Sequence, residues 1–438
     1  VLGIMPTGAG KSVCYQLSAM LLSGLTIVIS PLISLMKDQV DSLLQVGIPA
    51  AYINSSMSIE DYQTVMFHAR QGAYHILYVA PERLQTESFL AFAVRAGIQM
   101  VTVDEAHCVS QWGQDFRQSY LGIAEFLQTL PSRPIVSAFT ATATKQVSSD
   151  ICRLLQLQDP FQITTGFDRK NLYFAVQNPR NKENALLEIL QERRGKSGIV
   201  YCLARKTVEE LCETLCEKGF PATRYHAGLP QMERTANQED FLFDRKSIMV
   251  ATNAFGMGID KSNVSFVVHY NMPKDLESYY QEAGRAGRDG EPADCILLYS
   301  GRDVRTNTFL IEQAREASDL QDFQQREQWI ARSKERLKSM TIYATMTDCL
   351  RSYMLRYFGE RSPQCCGHCS NCQGTFETKD ITLEAKKIIS CVYRGLQHHY
   401  HLSRTMTADI LIGSEKQIIL EMRLNQLSTY GIMQDCTA

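Results

Sequence analysis

The sequence predicts an α/β protein of two successive lobes with parallel sheets, followed by a helical metal-binding segment and a further small helical domain. Three observations carry this. Apolar runs of strand length alternate with amphipathic, helix-length stretches as far as Gly301. The alternation pauses around Asp159–Asn171 and then begins again. After Gly301 it stops, and apolar residues recur at three- and four-residue spacing, as at Met346, Leu350, Met354 and Tyr357.

In the first lobe the strand-like runs are Leu25–Ser30, His75–Val79, Met100–Val103 and Ile135–Phe139. The chain opens at Val1 inside another such run, without a methionine, and is read as a fragment. In the second lobe the runs are Gly198–Cys202, Ala222–His226, Ile248–Ala251, Val264–Asn271 and Cys295–Tyr299. The expected divisions are therefore 1–160, 161–301, 302–378 and 379–438. From Ile381 onward the chain reads as the opening of a helical domain that ends before it closes a core, because so short a stretch is marginal as a free-standing fold.

Bulk properties exclude several classes. A content of 45% hydrophobic and 21% charged residues rules out a disordered or fibrous chain. No apolar run is long enough to span a bilayer, and no secretory signal opens the chain. The 14 cysteines show no disulfide-type spacing apart from one cluster near Cys366, which points to a reducing, cytoplasmic compartment and one metal site. Net charge is only −2, yet residues 326–407 hold 13 Lys or Arg against 7 Asp or Glu. A basic region beside an otherwise acidic chain suits a duplex-gripping appendage, although an ordinary solvated face reads the same way.

Met5-Pro6-Thr7-Gly8-Ala9-Gly10-Lys11-Ser12 is the strongest local signal. A glycine-rich turn between strand and helix lets backbone N–H groups converge on phosphate oxygens at a helix N-terminus. Thr7, Gly8, Ala9 and Gly10 would line the phosphates, Lys11 would reach the β and γ phosphates, and Ser12 would place its hydroxyl on Mg²⁺. Met5 stands where the strict pattern has glycine. The second half of such a site is Asp104-Glu105-Ala106-His107, fed out at the carboxyl end of a strand. Asp104 would hold Mg²⁺, Glu105 would polarise the attacking water, and His107 would couple to neighbouring motifs.

Charge developing on a γ-phosphate needs a cation from outside its own lobe, and an arginine finger contributes a factor of about 10³–10⁵. Gln281-Glu282-Ala283-Gly284-Arg285-Ala286-Gly287-Arg288-Asp289-Gly290 offers two arginines three apart, expected on one helical face. Arg288 is the candidate finger and Arg285 its partner.

With these pieces the chain closely resembles the RecQ helicases, a branch of the superfamily-2 DNA helicases. The shared stretches are Ser30–Gln39, Ala80–Leu84, Thr140–Thr144, Tyr225–Leu229 and Ala251–Asp260. The discriminating one is Ser110-Gln111-Trp112-Gly113-Gln114-Asp115-Phe116-Arg117. It matches the aromatic-rich loop that in the family senses single-stranded DNA and couples it to ATP hydrolysis. Flat rings such as Trp112 and Phe116 can stack unpaired bases at roughly 1–3 kcal/mol each. Arg117 can hold phosphate or the neighbouring motif.

The resemblance implies two tandem RecA-like (P-loop) lobes, a zinc-binding module and a partial winged helix, within which Leu427–Met433 is a family-like element. It adds Gly256, Asp260 and Gln281 to the nucleotide-contacting set, and Gln111 and His107 to Trp112, Phe116 and Arg117 as the DNA-contacting set. It implies ATP, Mg²⁺ and Zn²⁺ as bound groups, and 3′–5′ unwinding in recombination, repair, replication and the SOS response. Single-stranded and duplex DNA are the implied partners, with a single-stranded-DNA-binding protein as another. A monomer in the bacterial cytoplasm, associated with the nucleoid and not with a membrane, is expected. The segment in which the family carries its adenine-reading glutamine is expected upstream of Val1.

Cys366, Cys369 and Cys372 stand at two-residue intervals, and Cys349 lies upstream on an expected helix. Four sulfurs suit tetrahedral zinc in a closed, structural site. The family resembles this chain at these four positions and not at Cys365. Three other readings stay open on sequence alone: an RNA helicase of the same superfamily, a duplex translocase, and a non-enzymatic zinc-structured DNA-binding protein.

Overall fold

A computed structural model describes the chain except residues 114, 257–260, 318–322, 377–379 and 436–438. It divides into two compact units, residues 1–374 and 375–438. The first unit contains two sheets. Strands β1 (Leu2–Ile4), β2 (Leu25–Ile29), β3 (Ala50–Ile53), β4 (Ile76–Val79), β5 (Ile98–Val103), β6 (Ile135–Thr140) and β7 (Gln162–Thr164) pair in the order β3-β4-β2-β5-β6-β1-β7. Strands β8 (Leu172–Gln177), β9 (Ser197–Tyr201), β10 (Ala222–Tyr225), β11 (Ile248–Ala251), β12 (Val264–His269) and β13 (Ala293–Leu298) pair in the order β10-β11-β9-β12-β13-β8.

All ladders are parallel, as buried strands joined through helices require. The central strands β2 and β11 are buried along their whole length, which is why they read as unbroken apolar runs. Parallel order also brings the carboxyl ends of β1 and β5 to one rim of the first sheet.

Besides α1 (Lys11–Leu21) and α2 (Leu276–Ala283) within the lobes, α3 (Gly301–Ala317) packs on α4 (Phe323–Thr345) after the last strand. A short helix, α5 (Leu350–Tyr357), follows. Met346 falls in the break between α4 and α5, so of the apolar series expected from Met346 to Tyr357 only Leu350, Met354 and Tyr357 share a helix. Cys369 and Ser370 lie along β8, the edge strand of the second sheet. Phe174 bridges Cys369, and the Val176 N–H donates to Ser370 Oγ at 3.3 Å. That contact covers an edge otherwise open to pairing. One hydrophobic core runs through both lobes and this module, reaching from Leu2 to Cys369.

The second unit is helical: α6 (Thr382–Gln397), α7 (Arg404–Ile412) and α8 (Gln417–Glu421). It closes a core of its own from Cys391, Ile410, Leu411, Ile419, Leu424 and Leu427. This corrects the expectation that the stretch ends before a core forms. Seven further half-buried side chains, Tyr430 and Met433 among them, pack on those six and supply the missing apolar area.

Candidate active site

The turn after β1 contains Gly8 at φ +84° and Gly10 at φ +80°, a region that glycine alone enters without strain. Helix α1 (Lys11–Leu21) starts immediately after it. Lys11 Nζ folds back over the turn and donates to the carbonyls of Met5 (3.1 Å) and Pro6 (3.3 Å). Burial draws the Lys11 pKa down; the charges of Glu105 and Asp104 oppose that, and Arg288 adds to it.

Asp104 follows β5 directly, its N–H donating to the Ile29 carbonyl at 2.9 Å. Glu105 then takes φ +45°, a left-handed conformation that costs a non-glycine residue roughly 1–3 kcal/mol. Both carboxyls stand near enough to Lys11 for their charges to act on it. Burial, then the charge of Glu105, pushes Asp104 up to about 7. For Glu105, burial acts upward, but His107, Lys11 and Arg285 together carry it below the ordinary range. Adjacent carboxylates with separated pKa values suit different tasks. His107 is 1% exposed, with Nδ1 2.9 Å from Thr140 Oγ1 and 3.3 Å from Glu105 Oε2. It links the acidic motif to Thr140.

The opposite wall is helix α2 (Leu276–Ala283), N-capped by Asp275, whose carboxylate accepts from the Ser278 N–H at 2.8 Å. The helix stops at Ala283, so Arg285 and Arg288 ride on consecutive turns and not on the expected helical face. Gly287, at φ +57°, makes that path possible. Arg288 and the backbone before Arg285 nonetheless meet the first lobe. A Cβ on Gly8 would stand 3.4 Å from Arg288 Cγ, and one on Gly284 3.8 Å from Thr7 Cβ. Arg285 is 4% exposed, beside Gly256, and its Nε has no partner among the described residues. Gln281 lies on α2 in the same wall, and Asp260 lies outside the described residues.

Sequence reasoning missed Arg169. From the segment between the sheets, its guanidinium donates to the carbonyls of Thr7 (3.1 Å) and Gly284 (3.4 Å), and to those of Ala286 (3.0 Å) and Gly287 (2.7 Å). Its position just before β8 was the only available signal.

The aromatic-rich loop is built on Ser110, which donates to the buried Asp150 at 2.7 Å. Gly113 packs so tightly on the His107 carbonyl that a Cβ would approach it to 2.3 Å. Trp112 is 38% exposed, and the guanidinium of Arg332 on α4 lies 3.8 Å from its ring centroid. Arg336, one turn on, donates to the Gly113 carbonyl at 2.7 Å. Arg117 donates to the Pro31 carbonyl at 2.8 Å and pairs with Asp115 at 3.1 Å, so it holds a neighbouring motif. Gln111 is half-buried beside Trp112. Phe116 lines an interlobe cavity of about 630 Å³ with Asn253, Lys274, Trp329 and Arg336.

The sulfurs of Cys349, Cys366, Cys369 and Cys372 all lie within 4.8 Å of one another, as one tetrahedral ion requires. Cys349 caps α5 and accepts from the Ser352 N–H at 3.4 Å. Burial acts to raise its thiol, but hydrogen bonds from Ser352 and Cys366 carry it down to about 6. Burial pushes the thiols of Cys366 and Cys369 up instead, so the placement of the four sulfurs carries the fit to zinc. Cys365 Sγ approaches Cys372 at 3.2 Å but stands outside that group of four.

Family descriptions match the chain in this same order. A DEAD/DEAH box helicase domain covers residues 1–150 and a helicase conserved C-terminal domain 181–290; a RecQ zinc-binding domain covers 301–373 and an RQC domain 375–438. Two lobes meeting at a phosphate loop, with a cysteine module attached, define the chain as an ATP-dependent helicase motor with a zinc site. It is 46% identical, over 98% of its length, to the ATP-dependent DNA helicase RecQ of Bacillus subtilis and spans 71% of that protein. It is 41% identical, over 99% of its length, to the Pasteurella multocida protein of the same name and spans 66% of it. The chain belongs to the RecQ family of DNA helicases. Among solved structures, Mycobacterium smegmatis helicase Lhr bound to ssDNA and AMP-PNP shares the fold, with a TM-score of 0.55 at 19% identity. That match covers 78% of this chain and 53% of the other. No described helix is long and apolar enough to cross a membrane.

Proposed function

We propose that ATP bound at the seam between the two lobes drives this chain 3′ to 5′ along single-stranded DNA, displacing the complementary strand. The observation that carries the reading is the packing of Arg288 on Gly8, which brings a cation of the second lobe against the phosphate turn of the first. In this reading Thr7, Gly8, Ala9 and Gly10 present backbone N–H groups to the phosphates, and Lys11 leaves its two carbonyls for the β and γ phosphates. Glu105 orients and polarises the attacking water. Arg288 and Arg285 stabilise charge developing on the γ-phosphate. Gly256, Asp260 and Gln281 complete the nucleotide set from the second lobe.

Ser12 and Asp104 would hold Mg²⁺. A buried carboxylate pushed up by a neighbouring carboxylate fits a site that gains from a divalent cation, which would neutralise phosphate charge there. Cys349, Cys366, Cys369 and Cys372 would hold Zn²⁺ in a closed shell whose role is structural. Trp112 and Phe116 offer faces for unpaired bases, with Gln111 and Arg117 setting the loop. We read the chain as four parts with divisions near residues 160, 301 and 378, the last a winged-helix segment that grips duplex. Monomeric action in the bacterial cytoplasm on nucleoid DNA belongs to the same reading, as do a single-stranded-DNA-binding protein as partner and roles in recombination and repair.

Phosphate contacts would make DNA binding sequence-tolerant and weaker at high salt. The deciding experiment measures ATP hydrolysis with and without single-stranded DNA, and displacement from duplexes carrying a 3′ or a 5′ tail. DNA-stimulated hydrolysis with displacement from the 3′-tailed DNA duplex is the expected result. Displacement from RNA duplexes alone, or hydrolysis without displacement, would instead favour an RNA helicase or a translocase.

A further inference from the structure

We propose that Arg169 is a positioning residue for ATP hydrolysis, holding the phosphate turn of the first lobe and the arginine turn of the second at working distance. The inference rests on the reading that ATP lies between Lys11 and Arg288. Arg169 touches neither ATP phosphates nor water in that reading; it acts through the backbone on either side.

The geometry is specific. One guanidinium nitrogen, Nη1, donates to Thr7, inside the phosphate turn, and to Gly284, just before Arg285. The other, Nη2, donates to Ala286 and Gly287, the two residues between Arg285 and Arg288. The carbonyls so held flank both arginines. A planar, five-donor fork can satisfy four acceptors from two lobes at once, which a lysine ammonium on a flexible stem cannot do with the same geometry. Asn171 adds to the clamp, donating to the carbonyls of Gly287 (2.8 Å) and Glu291 (2.9 Å).

Arg169 is itself held in place, and by the cysteine module. Phe167 stacks on Phe358 with ring centroids 4.6 Å apart and planes 14° from parallel, and the Tyr280 hydroxyl donates to its carbonyl at 2.8 Å. Its N–H donates to Glu360. Arg351, on α5 two residues after Cys349, donates to Asp168 Oδ1 (2.7 Å), to the Arg169 carbonyl (2.7 Å) and to the Leu172 carbonyl. The segment from Phe167 to Leu172 is therefore pinned to the zinc module on one side and, through Arg169, to both walls of the nucleotide seam. Displacing catalytic groups by about 1 Å can cost about 10²-fold in rate without touching them directly.

The test uses the full chain with Arg169→Ala and Arg169→Lys, alongside Lys11→Ala and Arg288→Ala. Five quantities are read: binding of mant-ATP, kcat and KM for ATP with saturating oligo-dT, zinc content, and Tm. In Arg169→Ala we expect mant-ATP affinity and KM to stay within about threefold, zinc to be retained, and kcat to fall about 10- to 100-fold. Arg169→Lys should show the same kcat loss, because charge alone does not rebuild the fork. Should Arg169→Ala fail to fold, Arg169→Lys decides alone. A fold-only role would instead move Tm and mant-ATP affinity together with kcat, and full recovery with lysine would overturn the proposal. Undiminished kcat in both Arg169 variants while Arg288→Ala is inactive overturns it too and leaves the interlobe site standing. Wild-type rates in Lys11→Ala and Arg288→Ala would remove the site reading itself.

Discussion

Arg288 lies along Gly8 so closely that any Cβ at position 8 would sit 3.4 Å from its Cγ. Gly8 and Gly10 both hold positive φ, but a Cβ on Gly10 would meet nothing within 4 Å. Gly8→Ala and Gly10→Ala should thus share a backbone penalty of about 1–2 kcal/mol, because 3.4 Å is an ordinary van der Waals contact that displaces nothing at position 8. Nucleotide-free melting of the two variants checks this. A clearly larger Tm loss at position 8 would mean that the two turns press on each other more tightly than this contact.

Lys11→Ala should abolish ATP turnover without unfolding the chain, since the hydrogen bonds of its Nζ among the described residues go to carbonyls of its own turn. Glu105→Gln should keep ATP binding and slow hydrolysis by about 10² or more, because the amide cannot take a proton. Filter binding and phosphate release separate the two effects. Normal turnover in either variant contradicts the assignment.

Trp112→Ala should lose stimulation of ATPase by single strands. One face of the ring is already covered by Arg332, so a base must stack on the other face or displace the guanidinium. An exposed cation–π contact is worth about 0.5–1 kcal/mol. Arg332→Ala should therefore lower the half-saturating oligonucleotide concentration by roughly two- to fivefold. A rise would show that Arg332 itself grips the strand.

Glu277 gives the clearest pH dependence. Burial, then the charge of Asp275, raises its carboxyl to about 7, and it accepts a 2.7 Å hydrogen bond from the Tyr357 hydroxyl. Because the folded pKa lies above the unfolded one, its contribution to stability is full below about 4.5 and disappears as pH rises through about 7. Glu277→Gln lacks that titration. The Tm difference between variant and wild type should shift in favour of the variant from pH 5 to pH 8, as scanning calorimetry would read. A constant difference would place an ordinary carboxylate there.

Chelation of zinc should lower Tm and DNA-stimulated ATPase together. Cys369 lies on the edge strand β8 and is part of the core shared with both lobes, so the module is not a detachable appendage. An unchanged melting curve after verified metal loss would argue against this.

Much of this molecule was legible in its residues. The central strands announced themselves as apolar runs, because a strand buried on both faces has no polar positions to interrupt it. The phosphate turn, the Asp104–Glu105 pair and the cysteine set were readable because each packs its chemistry into a few consecutive positions. Three strands were not. β3, β7 and β8 were passed over, and Gln162–Thr164 is exposed throughout, so no hydrophobic pattern marks it. Local backbone detail was also hidden: Arg285 and Arg288 were placed on a helix that ends before them, because the positive φ of Gly287 depends on the turn it completes.

Tertiary structure alone decided what ties the pieces together. Arg169, Arg332 and Arg351 look like ordinary surface arginines in the sequence, yet each spans segments far apart along the chain to reach Thr7, Trp112 or Asp168. A guanidinium finds its carbonyls or its ring only once packing has fixed where those groups stand. Residue type sets what such a side chain can bind, and the fold sets what lies within its reach.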